Sequence, residues 1–199
     1  DLLQNFASKG NIEAVVGLVQ RGFEPDRLDQ FGRTALTIAL GNGDVEMVRV
    51  LLGTRQIDIN RMYRNSESLL HLATLNKKAA RCLRLIMLYP DVNLNATDKK
   101  GNTALHLAAC TQTINAVDIL LSDPRVEKNH VNNEGLTPLH LAVLTGDTDV
   151  VELFLDSSAV DLTILTPKGN NVLTLSMIEN KYKIISMLVD RPEIDINTF

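Results

Sequence analysis

With 199 residues, 45% of them hydrophobic, and charges of both signs interspersed to a net of −4, the chain can bury a sizeable core. It has neither the composition of a disordered segment nor the basic patches of a nucleic-acid binder. The opening residues carry no signal-peptide pattern, no apolar run is long enough to cross a bilayer, and Cys82 and Cys110 show no pairing motif, which suits a reducing intracellular setting.

Taken in chain order, residues 1–28 read as a helix pair with Asp1 at the capping position. Asn5 falls where later segments place Ile38, Leu72, Leu107 and Leu141, as suits a solvent-facing N-terminal cap, and Phe6 is a misfit at a position otherwise small. Residues 29–62 open with a turn at Gly32, a helix capped by Thr34, and a helix-to-helix turn through Gly41-Asn42-Gly43-Asp44. Residues 63–97 are irregular. Tyr63 stands where Asp or Asn is usual, Ser66 replaces Gly, one extra residue lies near Asn76-Lys77-Lys78, and the helix turn lacks glycine. Two readings fit: a tolerated loop insertion, or a contact point altered for a partner.

Residues 98–131 return to pattern with Gly101 and Thr103. In 132–165, Asn132-Asn133-Glu134-Gly135 forms a turn, Thr137 caps a helix that begins at Pro138, and Gly146 stops it. Asp147 then starts a second helix over Thr148–Leu155, with Val150, Val151, Phe154 and Leu155 at helical spacing. Residues 166–199 carry a worn copy, and Ile194-Asp195-Ile196-Asn197 repeats the lead-in Ile57-Asp58-Ile59-Asn60. The parent protein is therefore expected to continue beyond Phe199.

The capping positions Thr34, Ser68, Thr103, Thr137 and Asn171 recur at a spacing of about 34, with Asp1 ahead of them. A fixed period of this size means one supersecondary unit stacked repeatedly: an all-α solenoid of about six helix-turn-helix units joined by β-turn fingers. Ala39, Ala73, Ala108, Ala142 and Ser176 keep one helix position small so that neighbouring helices can approach.

The phrase Gly135-Leu136-Thr137-Pro138-Leu139-His140-Leu141-Ala142, with Gly101-Asn102-Thr103-Ala104-Leu105-His106-Leu107-Ala108 beside it, resembles the ankyrin repeat along the whole chain. That resemblance implies a non-catalytic scaffold, a protein partner and no cofactor. It places partner contacts on a concave face of finger tips and first helices. The positions it marks are Gln30, Phe31 and Arg33; Arg64, Asn65 and Glu67; Lys99, Lys100 and Asn102; Asn133, Glu134 and Leu136; and Pro167, Lys168 and Asn170. Helix-end residues Asn42, Leu75, Thr111, Leu144 and Ile178 extend the face. Phe31, Leu136 and Leu144 are expected to be exposed apolar anchors. Alternatives are an inhibitor masking a transcription factor or kinase, the cytosolic arm of a channel, and the targeting module of a larger enzyme or effector. A monomer is expected, since the stack closes its own core.

Other chemistry is poorly supported. His71, His106 and His140 recur once per unit, about 10 Å apart at one helix diameter, too far for ligands that must each lie about 2 Å from one metal ion. They are expected instead to bond backbone and cap hydroxyls between units. His130 reads as a surface residue. No serine sits in a nucleophile motif. Gly41-Asn42-Gly43-Asp44 lacks the lysine of a phosphate loop, and Lys77-Lys78 and Lys99-Lys100 read as solvated turn residues.

Overall fold

The computed structural model describes residues 2–189 and 191–194. Asp1 as a cap and the lead-in over 195–197 lie outside the described residues. Within them the chain forms twelve α-helices and no strand: α1 (Leu2–Ser8), α2 (Ile12–Gln20), α3 (Ala35–Asn42), α4 (Val45–Gly53), α5 (Leu69–Thr74), α6 (Ala80–Met87), α7 (Ala104–Cys110), α8 (Ile114–Ser122), α9 (Pro138–Thr145), α10 (Thr148–Asp156), α11 (Val172–Ile178) and α12 (Tyr182–Leu188). Short 3₁₀ turns occupy Arg64–Ser66 and Lys77–Ala79.

The chain divides into two compact parts, residues 1–98 and 99–199. In the first, α3 lies between α1 and α5 while α4 lies between α2 and α6. In the second, α9 lies between α7 and α11 while α10 lies between α8 and α12. Each part is thus two layers, one of first helices and one of second helices.

Capping chemistry explains why such short helices form. Thr37 N–H donates to Thr34 Oγ1 at 3.1 Å, and Thr34 N–H donates back to Thr37 Oγ1 at 3.0 Å. Ser68 with His71, Thr103 with His106 and Thr137 with His140 build the same reciprocal box, and Asn171 Oδ1 accepts from Thr174 N–H at 2.8 Å. Each box satisfies donors that a helix start would otherwise strand, about 1 kcal/mol per cap.

The second helices use Asn11, Asp44 and Asp147 in the same way, accepting from Ala14, Met47 and Val150 N–H. Between the paired helices Gly43 takes φ 70° and Gly146 φ 81°. At Gly43 a Cβ would also lie 2.8 Å from both Cβ and O of Lys78, so only glycine fits.

The core sits between the layers. Leu36, Leu40, Met47, Leu51, Leu69 and Leu83 are buried in the first part; Leu105, Leu120, Leu139 and Phe154 are buried in the second. Each such side chain contributes about 1.5–3 kcal/mol by leaving water. Ala39, Ala73, Ala108, Ala142 and Ser176 are wholly buried, as close helix approach demands. Phe6, at the equivalent place in α1, is only half-buried.

The irregular segment absorbs its extra residue in the Lys77–Ala79 turn. Asn76 Oδ1 accepts from Lys78 N–H at 3.0 Å, and Asn76 Nδ2 donates to the C-terminal carbonyls of α3 at Leu40 (3.2 Å) and Gly41 (2.6 Å). Asn76 thereby caps the short turn and ties it to the end of α3, while α5 itself has its C-cap at Leu75, without a glycine.

Loops at the opposite end are clamped by asparagine. Asn60 Nδ2 donates to Asp91 O at 2.7 Å, and its Oδ1 accepts from Asn93 N–H at 2.7 Å. Asn129 makes the same two bonds, to Ala159 O and from Asp161 N–H, each at 2.9 Å.

Candidate functional site

The fingers are built by one side chain at their base. Asp29 N–H donates to Arg33 O at 2.8 Å, closing the turn, and Gly32 N–H donates to Asp29 O at 2.9 Å. Asp29 Oδ1 accepts from Phe31 N–H (2.9 Å) and Arg33 N–H (2.8 Å). Its Oδ2 accepts from Arg33 Nε at 2.9 Å and pairs with Nη2. Partial burial pushes this carboxyl up. The backbone and side-chain bonds from Arg33, then that from Phe31, outweigh burial and hold it below its ordinary value. Asn132 and Thr166 repeat the design. Asn132 Oδ1 accepts from Glu134 and Leu136 N–H, and Thr166 Oγ1 accepts from Asn170 N–H.

Tyr63 cannot do this. Its backbone still closes the turn, donating to Glu67 O at 2.8 Å, but its side chain leaves the finger tip without an acceptor. Asn65 (φ 60°) and Ser66 (φ 58°) then both enter the left-handed region, at about 1–2 kcal/mol for each non-glycine residue. The Tyr63 ring packs inward. Its hydroxyl is buried without a hydrogen-bond partner, and burial raises its pKa to about 12, partly opposed by the nearby Thr34 hydroxyl.

Between the fingers at 29–33 and 63–67 lies a groove of about 310 Å³. Leu40 forms its base, with Thr37 and Leu72 half-buried above it, and Phe31 and Leu75 are its exposed apolar walls, at 55% and 47% exposure. Arg33 and Arg64 stand at its finger side, and Arg33 lies over the Phe31 ring at 4.9 Å. A second depression of about 320 Å³, lined by Gln4, Asn5, Ser8, Gln30 and Ile38, adjoins it, and both share Phe31 and Arg33.

The structure thus gathers Phe31, Arg33, Arg64 and Glu67 around one groove, with Gln30 in the adjoining one and Asn65 exposed on the finger. In residues 99–199, Lys99, Lys100, Asn133, Glu134, Pro167 and Lys168 are exposed, and Asn170 is half-buried.

Three expectations need correction. Asn102 is buried, and its Oδ1 accepts from Asn132 Nδ2 at 2.8 Å, so it braces neighbouring fingers rather than facing outward. Leu136 and Leu144 are half-buried, not exposed anchors; at Leu136 the backbone carbonyl receives His106 Nε2–H at 3.0 Å. His130 is no free surface residue: Nδ1 meets Glu127 Oε2 at 3.0 Å, and its ring lies edge-on to His106, 6.0 Å between centroids. Leu72 and Ile38 look like core positions in the sequence, yet both are half-buried and line the depressions. Their period is the same as that of the core, so spacing alone does not distinguish them.

The three cap histidines act locally. Backbone N–H groups of Ser68, Thr103 and Thr137 donate to Nδ1 at 3.0, 3.1 and 3.1 Å, which leaves the proton on Nε2. For His106 that proton reaches the next finger at Leu136 O. For His140, Nε2 is buried without a bond of good geometry. Burial pushes its pKa down, partly opposed by the Ile164 backbone.

The family model for ankyrin repeats in three copies matches residues 3–97, 70–164 and 124–199. The chain belongs to the ankyrin-repeat family. Its fold is the all-α ankyrin solenoid with β-turn fingers. Over 95% of this ankyrin chain it superposes on 85% of the ankyrin repeat domain of Bcl-3, a member of the IkappaB protein family, with a TM-score of 0.87 and 27% identity. It is also similar to the ankyrin repeat protein EF0377, with a TM-score of 0.83, 27% identity, and 95% and 96% of the two chains covered. An ankyrin repeat domain from Acinetobacter baumannii AYE shares the fold at 0.80 and 23% identity, over 94% of this chain and 95% of that one. Among curated proteins, alpha-latrotoxin-Lh1a of Latrodectus hasselti is 32% identical over 105 residues. That match covers 51% of this chain but only 8% of the toxin, so the chain spans a small part of that relative's length.

Proposed function

We propose that this ankyrin chain is a non-catalytic scaffold that binds a protein partner through its finger tips and first-helix faces, with the Phe31 groove as its main contact in residues 1–98. Ankyrin repeats are in general protein–protein interaction modules, and the fold is typically non-catalytic. The observation that carries the reading is the pairing of exposed Phe31 and Leu75 across a groove flanked by Arg33 and Arg64. Aromatic and arginine anchors around an apolar patch are the composition of interface cores.

Rigidity supports the same reading. Capped helices and a closed finger hold the groove in shape, so little entropy is lost on association. The ionisable groups nearby suit binding better than proton transfer: Asp29 is locked to Arg33, and the Tyr63 hydroxyl is held protonated by burial. Unbridged Cys82 and Cys110 agree with a reducing compartment, and the chain acts as a monomer in this reading.

The test is affinity capture from lysate with the wild-type chain, Phe31→Asp, Arg64→Asp and Leu136→Asp, with circular dichroism as the folding check. Loss of the captured protein with the first two variants is the expected outcome. Capture that survives both, in folded protein, overturns the assignment of the groove.

A further inference from the structure

Resting on the scaffold reading above, we propose that the Phe31 groove takes an extended peptide segment of its partner in which an aliphatic or aromatic side chain is flanked by a carboxylate. The volume of about 310 Å³ is at the small end for ligand-sized cavities, enough for one or two side chains of a partner segment laid across it. Phe31, Leu72 and Leu75 offer apolar contact on three sides of it.

The charge at the mouth fixes what flanks that anchor. Asp29 lies beneath Arg33. Its side chain is 7% exposed against 54% for the guanidinium, and both its oxygens already accept hydrogen bonds. From solvent the pair therefore presents its cationic partner. Arg64 folds over the neighbouring finger, its Nε 3.6 Å from where a Cβ on Gly32 would stand, and its guanidinium has no hydrogen-bond or ion-pair partner among the described residues. Two guanidinium groups thus line the groove beside Phe31, and that of Arg64 is bound to no carboxylate, although Glu67 lines the same groove. A planar guanidinium next to an apolar wall is best matched by a carboxylate that it can hold with two parallel hydrogen bonds. Glu67 lines the same groove, and its carboxylate can accept backbone N–H groups of an extended strand.

The test uses the 199-residue chain, ¹⁵N-labelled, titrated with short extended peptides. Each peptide carries Leu or Phe flanked by Glu, Gln or Lys in an otherwise identical Gly/Ser background. Glu-flanked peptides are expected to bind about tenfold more tightly than Gln-flanked ones, the scale of one charge-assisted contact, with shifts centred on Phe31, Leu72 and Leu75. Lys-flanked peptides bind most weakly. Arg64→Glu reverses the order, Phe31→Asp weakens every peptide, and Lys183→Glu, an exposed charge on α12 outside the finger and first-helix positions, leaves the order unchanged.

Equal binding of Glu and Gln peptides, an order unaltered by Arg64→Glu, or no binding of any peptide overturns the proposal. If peptides fail while lysate capture still depends on Phe31, the scaffold reading stands and this partner chemistry falls. If capture is indifferent to Phe31, the groove itself is the wrong site.

Discussion

Arg33 lies across the face of the Phe31 ring, 4.9 Å from its centre, while its Nε grips Asp29 Oδ2 at 2.9 Å. The aromatic residue at the finger tip is therefore positioned by a carboxylate at the finger base. An exposed cation–π contact is worth only about 0.5–1 kcal/mol, so the carboxylate does most of the ordering.

Asp29→Ala removes the acceptor for two finger N–H groups and for Arg33. Urea unfolding is expected to show a lower midpoint than wild type, since two finger N–H groups and Arg33 lose their acceptor. Partner binding should weaken further, because Phe31 and Arg33 lose their fixed geometry. Unchanged binding in the folded variant would mean that the finger needs no such brace.

Gly43→Ala and Gly17→Ala are expected to move in opposite directions. At Gly43 the added methyl meets Lys78 at 2.8 Å in a left-handed backbone, whereas at Gly17, inside α2, nothing lies within 4 Å. The first should cost about 2 kcal/mol or more, and the second should gain about 0.5–1 kcal/mol. Denaturant midpoints with an unchanged slope check both.

Tyr63 gives the chain an alkaline limit. The phenol is protonated below pH 10 in both states. Between pH 10 and about 12 the unfolded chain has lost that proton while the folded chain keeps it, so stability falls as pH rises through this window. Roughly 2 kcal/mol is at stake once the ring's partial exposure is discounted. In Tyr63→Phe this contribution should vanish, and the variant should be no less stable at pH 7, since the buried hydroxyl has only a loose contact with Thr34 and no hydrogen bond of good geometry. Absorbance titration at the tyrosinate band, wild type against variant, isolates the group.

His140 acts at the other end of the scale. Its folded pKa lies below 6.5, so it contributes stability that is fully present above pH 6.5. As pH falls below that value the unfolded chain takes up the proton first, and stability is lost down to the folded pKa. Nitrogen-15 NMR should find the Nε2–H tautomer, titrating below 6.5. A normal titration would mean that water reaches the ring.

Local chemistry was readable from residue type. Thr34, Ser68, Thr103, Thr137 and Asn171 cap helices, and Gly43 and Gly146 end them, because a cap depends on a few neighbouring backbone groups. Phe31 was readable as an exposed aromatic for a similar reason: it stands on a turn tip. What the sequence hid were relations between segments some 30 residues apart. Asn102 looks like any finger residue until Asn132 is placed beside it. Leu136 looks exposed until its neighbours are known, and Leu72 shares the core's period although it borders solvent. Tyr63 was visible as an anomaly, but the inward turn of its ring is a matter of packing.

The asparagine clamps have a bearing on how the chain assembles. Asn60 fastens Asp91 and Asn93, and Asn129 fastens Ala159 and Asp161, always to the loop about one period downstream. No clamp has to wait for a distant terminus. Low sequence separation favours fast folding, so each of these two clamps can close once the loop one period downstream is in place, without the rest of the chain.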